Sequence, residues 1–272
     1  MKKNLCLVIL GLFSITQIKA NANEIYNSIL DDYRQSVVTI EAVIETEIRA
    51  GGQSQESENR IEVPGVLLND DGLVMASSRP FSSDFLEDAL AGTGQQFQTN
   101  VSISDITIVL DDGEDFDAFV VATDSDFELA FLQMEDIEYR SFPFVELNES
   151  ADIDKGDKLY TLARLGEEYD YAPHVRYLLV EGEVDRPREA WIATAYPNLI
   201  GMPFFNEDGE PAGVLASLDV ESDHQPAGGF GGMINQLHGG DDPTLNFVVP
   251  VDEISGLINQ AEERAEEMLD DR

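Results

Sequence analysis

The sequence predicts an all-β fold, a barrel or sandwich, with a helix at each end. Three observations carry that expectation. Short apolar runs recur along the whole chain at close spacing. Turn signals of the Asp-Gly kind separate neighbouring runs, at Asn69-Asp70-Asp71-Gly72, Asp112-Gly113 and Asp208-Gly209. No self-similar period of about 20–50 residues is present, which argues against a repeat architecture.

The elements follow in order. Residues 24–35 place Ile25, Ile29 and Tyr33 at helical spacing. In residues 36–48, Ile40, Ala42, Ile44 and Ile48 fall on one face of a strand and Glu41, Glu45 and Glu47 on the other. Residues 50–60 read as a polar loop, and 63–68 and 73–76 as a strand pair around the Asp71-Gly72 turn. Residues 82–100 read as a short helix with a Gly- and Gln-rich loop. Strands are expected at 106–110, 117–121, 129–134, 145–147, 158–163, 177–184, 191–195, 204–205, 212–218 and 247–249. The segment 251–269 carries Ile254, Leu257, Ile258, Ala261, Ala265, Met268 and Leu269 on one helical stripe.

Composition narrows the function classes. The 272 residues contain 54 acidic and 16 Lys or Arg side chains, a formal charge of −38. Such a chain repels phosphate backbones, so nucleic acid is excluded as a partner, and anionic membrane surfaces are disfavoured. The acids are spread along the whole chain, which favours a solvated surface in salty surroundings over a dedicated basic partner. The single cysteine, Cys6, excludes a disulfide framework and a thiolate metal site.

Residues 1–22 read as a secretory signal peptide. Lys2 and Lys3 give a positive start, Leu5 to Ile15 is nearly all apolar, and Ala20-Asn21-Ala22 fits the small-x-small cleavage pattern. The run is short for a bilayer span, so cleavage is favoured over an anchor, with no stable membrane insertion afterwards. The protein is therefore expected to be exported, periplasmic or extracellular.

Four stretches, in order, resemble the HtrA/Deg group of trypsin-like serine proteases. GVLLNDDGLVMASSRPF (65–81) is similar to the family's G-x-G…T-N-x-H-V segment. DITIVLDDGEDFDAFVVATDSDFELAFLQME (105–135) is similar to its D-G-x-x-[FY]-x-A…D-[LI]-A segment. YPNLIGMPFFNEDGEPAGV (196–214) is similar to N-P-G-N-S-G-G-P-L-[LIV]-N-x-x-G, and NFVVPVDEI (246–254) to the G-F-A-I-P ending. The resemblance covers about residues 33–260. It implies two six-stranded β-barrels with a cleft between them. The expected organisation is a first barrel with the N-terminal helix in 23–140, and a second barrel with the C-terminal helix in 141–272. No PDZ-length segment follows, so PDZ-directed recognition of C-termini is not expected.

The resemblance also places a catalytic triad, and this sequence departs from it. The histidine position falls on Arg79, which cannot serve as a general base. The aspartate position falls on Glu128. The serine position falls on Ile200, which has no nucleophilic atom, and the oxyanion glycine falls on Asn198. No histidine precedes Glu128, because the three are His174, His224 and His238, and no serine or cysteine lies between residues 151 and 216. A slip in alignment therefore does not restore the triad. Arg79 and Glu128 are instead expected to form a charge-assisted pair in place of the His–Asp pair, holding the cleft without doing chemistry.

Other chemistry is weakly supported. The acidic run 111–117 lacks the spacing of a calcium loop. His224 and His238 sit fourteen residues apart in a Gly-rich loop, a poor zinc pattern. The two lysines beyond the leader, Lys155 and Lys158, have no serine beside them for a Ser–Lys dyad. No metal and no cofactor is expected. The leading reading is an exported, non-catalytic HtrA-like pseudoprotease that binds a protein or peptide between the barrels, with Trp191, Tyr196, Asn198 and Gly201 as contact residues. The alternatives are a hydrolase with an unconventional site and a structural component of the cell envelope whose cleft is filled by Ile200. An oligomer is compatible with all three.

Overall fold

The computed structural model describes residues 22–50, 53–82, 98–137, 139–186, 188–217 and 244–270. Residues 1–21 with Cys6, 83–97, and 218–243 with His224 and His238 lie outside the described residues.

Helix α1 (Ala22–Tyr33) buries Ile25 and Ile29. It lies on the second half of the molecule, with Tyr26 edge-on to Tyr160 and Tyr33 stacked 4.1 Å from Phe205. Six strands then close an antiparallel barrel: β1 (Val37–Ala50), β2 (Gln53–Leu67), β3 (Leu73–Ser77), β4 (Gln98–Val109), β5 (Asp115–Asp124) and β6 (Leu129–Met134). The spatial order is β1-β2-β3-β6-β5-β4. Strands β3 and β6 are buried along their full length because both their faces meet apolar side chains.

Two expectations need correction in this half. Residues 53–60 are not a loop but the first half of β2, paired with β1 out to Ala50↔Gln53. Their polarity hid them: every side chain from Gln53 to Arg60 is polar, so strand formation here rests on the backbone ladder to β1 and not on apolar residues of this segment. Likewise residues 98–100 begin β4 instead of closing a helix-and-loop segment. The hairpin sets Glu41 opposite Glu62, Glu45 opposite Glu58 and Glu47 opposite Glu56.

The second sheet comprises β7 (Lys158–Arg164), β8 (Pro173–Leu179), β9 (Gly182–Val184), β10 (Ala190–Ala195), β11 (Pro203–Phe205), β12 (Pro211–Ala216) and β13 (Thr244–Val249), in the order β8-β7-β11-β12-β13-β10-β9. The expected strand 177–184 is bent at Val180-Glu181. Its first limb pairs with β7 and its second with β10, where Glu181 N–H donates to the Ile192 carbonyl at 2.8 Å. The two edges of this seven-stranded strip are thus consecutive in the chain, and the strip curls into the second barrel.

Residues 145–147, expected as a strand, run as an irregular connection. Phe142 and Val145 donate single backbone bonds to Asp70 and Leu67, and Val145 and Leu147 are buried as anchors. Pro143 deprives the run of a donor. Helix α2 (Val251–Asp270) closes the molecule on its buried stripe Val251, Ile254, Ile258, Ala261 and Ala265.

The barrels share one core. Met75, Phe127 and Phe131 of the first pack in the same cluster as Leu199, Ile200 and Leu215 of the second. A buried cation pins the seam. Arg164 on β7 has a side chain 2% exposed; its Nε donates to the Val37 carbonyl at 2.7 Å, Nη1 to the Tyr171 carbonyl at 3.2 Å and Nη2 to Asp111 Oδ1 at 2.7 Å. Every one of these partners is fixed backbone or charge, the arrangement that makes a buried guanidinium tolerable.

Candidate functional site at the barrel seam

Arg79 opens a 3-10 turn, Arg79–Phe81, directly after β3. Pro80 and Phe81 are buried and fix that turn against the barrel. Glu128 ends the tight turn between β5 and β6 with φ 55°, a left-handed conformation that costs a non-glycine residue about 1–2 kcal/mol. The turn is held in that shape by Phe127, whose N–H donates to Asp124 Oδ1 at 2.9 Å and whose ring is buried. From the second barrel, Arg188 lies 4.7 Å over the Phe127 ring and pairs with Asp126 at 3.0 Å.

The two turns meet. Ser78 N–H donates to the Glu128 carbonyl at 2.8 Å, and Arg79 Nε donates to Glu128 Oε2 at 2.7 Å. Both side chains are 19% exposed. Arg79 Nη2 also lies 3.5 Å from Ser217 Oγ. Ser217 was not among the expected site residues. Its signal was present only as a lone serine just after the apolar run 212–216, with nothing to fix its orientation.

Ile200 and Asn198 lie on the segment 196–201. Pro197–Leu199 forms a 3-10 turn, with Leu199 N–H bonded to the Tyr196 carbonyl at 3.0 Å and Ile200 N–H to the Pro197 carbonyl at 3.2 Å. An oxyanion hole requires the N–H at the nucleophile position to point at substrate. Here that N–H is spent inside its own turn. The Ile200 side chain is completely buried. Gly201 follows at φ +87°, and a Cβ there would lie 2.5 Å from the Ala76 carbonyl carbon of β3. Glycine is required twice over, for the conformation and for this backbone-to-backbone approach.

Trp191 and Tyr196 do not share a surface. Trp191 on β10, opposite Glu183 and Val248, lines an acidic hollow of about 580 Å³ with Asp152, Asp154, Asp157, Glu189 and Glu253. Tyr196 lies under the Arg176 guanidinium, 4.5 Å away, beside an apolar groove. Of the residues singled out in the sequence, the structure therefore joins Arg79 to Glu128, places Asn198, Ile200 and Gly201 on one turn, and sets Trp191 apart.

Among the described residues the one histidine is His174. His174, on β8, accepts a hydrogen bond from Arg176 Nε at 3.1 Å through Nε2. Burial, aided by the Arg176 charge, holds its pKa below the usual histidine value. Among the described residues no group of three or more His, Asp and Glu is placed to hold a metal ion. Two acids of the 111–117 segment are engaged in ion pairs: Asp111 with Arg34 and Arg164, Glu114 with Arg140.

The family model for the trypsin-like peptidase domain matches residues 64–214, more than half of the chain. The chain belongs to the trypsin-like peptidase family. No curated protein matches the sequence. Among solved structures, the HtrA-type protease AlgW in a serine-to-alanine form is similar in two complexes. The form with a decapeptide aligns at TM-score 0.57 and 13% identity, over 88% of this chain and 67% of that one. The form with a tripeptide aligns at TM-score 0.53 and 13% identity, over 86% and 62%. At this identity the likeness establishes the fold, two barrel-like sheets with helices at the ends.

Proposed function

We propose that this protein is an exported, non-catalytic member of the trypsin-like peptidase family whose work is to bind a protein or peptide segment. The observation that carries the reading is the pairing of Arg79 with Glu128 at 2.7 Å beside a buried Ile200. A guanidinium with a pKa above about 12 accepts no proton, and isoleucine forms no acyl intermediate. Ser217 Oγ lies 3.5 Å from the Arg79 guanidinium, a cation and not a base. The peptides carried by both AlgW complexes support a peptide as ligand class. Export rests on the leader, residues 1–22.

The test is hydrolysis of casein by the chain from residue 23 onward in molar-range salt, alongside an Arg79→Ala, Glu128→Ala double variant. Neither is expected to turn over substrate while both remain folded by circular dichroism. Turnover by the parent that the double variant loses would overturn the reading and assign one of these residues to chemistry. The full burial of Ile200 favours one second reading, an envelope component with a filled cleft; that protein would capture no peptide at all.

A further inference from the structure

His174, Arg176 and Tyr196 form a short stack beside the turn that carries Ile200. His174 and Arg176 stand two apart on β8, so their side chains leave the same face of the strand. Arg176 Nε donates to His174 Nε2 at 3.1 Å, and the guanidinium lies 4.5 Å over the Tyr196 ring. Tyr196 precedes the 197–199 turn, and its carbonyl accepts from the Leu199 N–H at 3.0 Å. Arg176 and Tyr196 also line one groove of about 310 Å³, together with Leu199 and Phe204. Among the described residues Arg176 makes no ion pair with a carboxylate, so its position rests on the imidazole and the aromatic ring.

The bond defines the state of the imidazole. A ring nitrogen that accepts a hydrogen bond carries no proton, so His174 is neutral with its proton on Nδ1. A proton taken from solvent at Nε2 turns that nitrogen into a donor and sets an imidazolium against a guanidinium at hydrogen-bond distance. The neighbouring elements bring no counter-charge. On β7, Ala163 stands opposite His174 and Thr161 opposite Arg176, and both are buried. Helix α1 brings Tyr26 to the groove, and the end of β10 brings Tyr196. Among the described residues the one charge acting on His174 is that of Arg176. Burial and then that charge hold the imidazole below its ordinary value, against a weaker pull from the Ala172 backbone.

We propose that the stack is an acid-released latch on the 196–201 turn, in which neutral His174 holds Arg176 on Tyr196 and protonated His174 expels it. The expelled guanidinium leaves the groove for solvent, and Tyr196 loses its cover. The direction follows from linkage. The latched state binds the proton less readily than the released one, so the latch is complete above the ordinary histidine value of about 6.5 and is lost as pH falls toward the lower latched value. Between the two values each unit of pH shifts the latched-to-released ratio by up to about tenfold. The device goes beyond the peptide-binding reading and does not rest on it, since it concerns the turn whatever the cleft holds.

The test is an NMR titration of isotope-labelled protein from about pH 8 to pH 4, with circular dichroism at each step. Three signals are read: the His174 imidazole, the Arg176 Nε–H and the Tyr196 ring. They are expected to move together, with one midpoint below about 6.5 and with loss of the Arg176 Nε–H signal as it becomes exposed to exchange. His174→Gln keeps an acceptor for Arg176 but cannot titrate, so there the Arg176 and Tyr196 signals should stay in place across the range. Arg176→Gln removes the neighbouring charge and should raise the His174 midpoint. The proposal is overturned if His174 protonates while Arg176 and Tyr196 stay still, or if His174 remains neutral to pH 4. It is equally overturned if Arg176 moves in His174→Gln as in the parent, or if the fold is lost before any of the three signals moves. The parent titration decides the matter even where a variant fails to fold.

Discussion

Arg79 and Glu128 are joined twice, by a side-chain bond of 2.7 Å and, through the neighbouring Ser78, by a backbone bond to the Glu128 carbonyl. The backbone link would survive loss of the ion pair, so the pair tightens a contact that the chain already makes. A double-mutant cycle over Arg79→Ala and Glu128→Ala should give a coupling of about 1–2 kcal/mol in urea unfolding, the range for a half-buried charge-assisted bond. A coupling near zero would show that the bridge only decorates the seam.

Ile200→Ser should leave the protein without protease character. The hydroxyl would enter a fully buried site with the Ile200 N–H turned into its own loop, and the family's histidine position is held by Arg79. Labelling by a fluorophosphonate is expected to be absent, and stability should fall by about 2–4 kcal/mol from the lost apolar volume and the unmet hydroxyl.

Gly201→Ala should be among the most damaging small substitutions. The new methyl would meet the β3 backbone at Ala76, and the φ of +87° adds strain. A loss of about 3 kcal/mol or more is expected in chemical denaturation. A loss under about 1 kcal/mol would mean that the turn can retreat from β3.

Acid should weaken the seam in a defined direction. Burial alone would raise the Asp111 pKa, but the hydrogen bonds from Arg164 and Arg34 hold it below the usual carboxylate value. Its stabilising contribution is therefore complete above the unfolded value of about 4 and is lost as pH falls through the lower folded value. Asp111→Asn should flatten the dependence of the urea midpoint on pH below about 4 and leave the slope above it unchanged.

Salt should stabilise this molecule. Glutamates stand opposite one another at 41/62, 45/58 and 47/56 along the β1–β2 hairpin. Arg60 pairs with Glu41 of the first of these. Melting temperature should rise between about 0.05 and 1 M NaCl as this repulsion is screened. Glu58→Lys should reduce that rise.

Much of the fold was legible because apolar alternation and Asp-Gly turns coincide, as along β1 and around Gly72 and Gly209. The Arg79–Glu128 pair was legible because a turn residue and a strand-end residue kept their family positions. The polar half of β2 was not, since its half-buried positions carry the polar residues Ser57 and Asn59 and so show no apolar alternation. Ser217 and Arg164 were not, because their roles depend on which distant backbone each side chain meets: Arg164 bonds to Val37, 127 residues away. The separation of Trp191 from Tyr196 was equally hidden, since it follows from which way each side chain leaves β10 and its adjoining turn.

The Arg164 seam has a chemical corollary. Beyond Cys6 the sequence contains no cysteine, so the join between the barrels is made by a guanidinium rather than by a covalent sulfur link. Its strength is indifferent to thiols and oxidants. The join can form in a reducing or an oxidising compartment alike, requiring neither an oxidase to form it nor an isomerase to correct it.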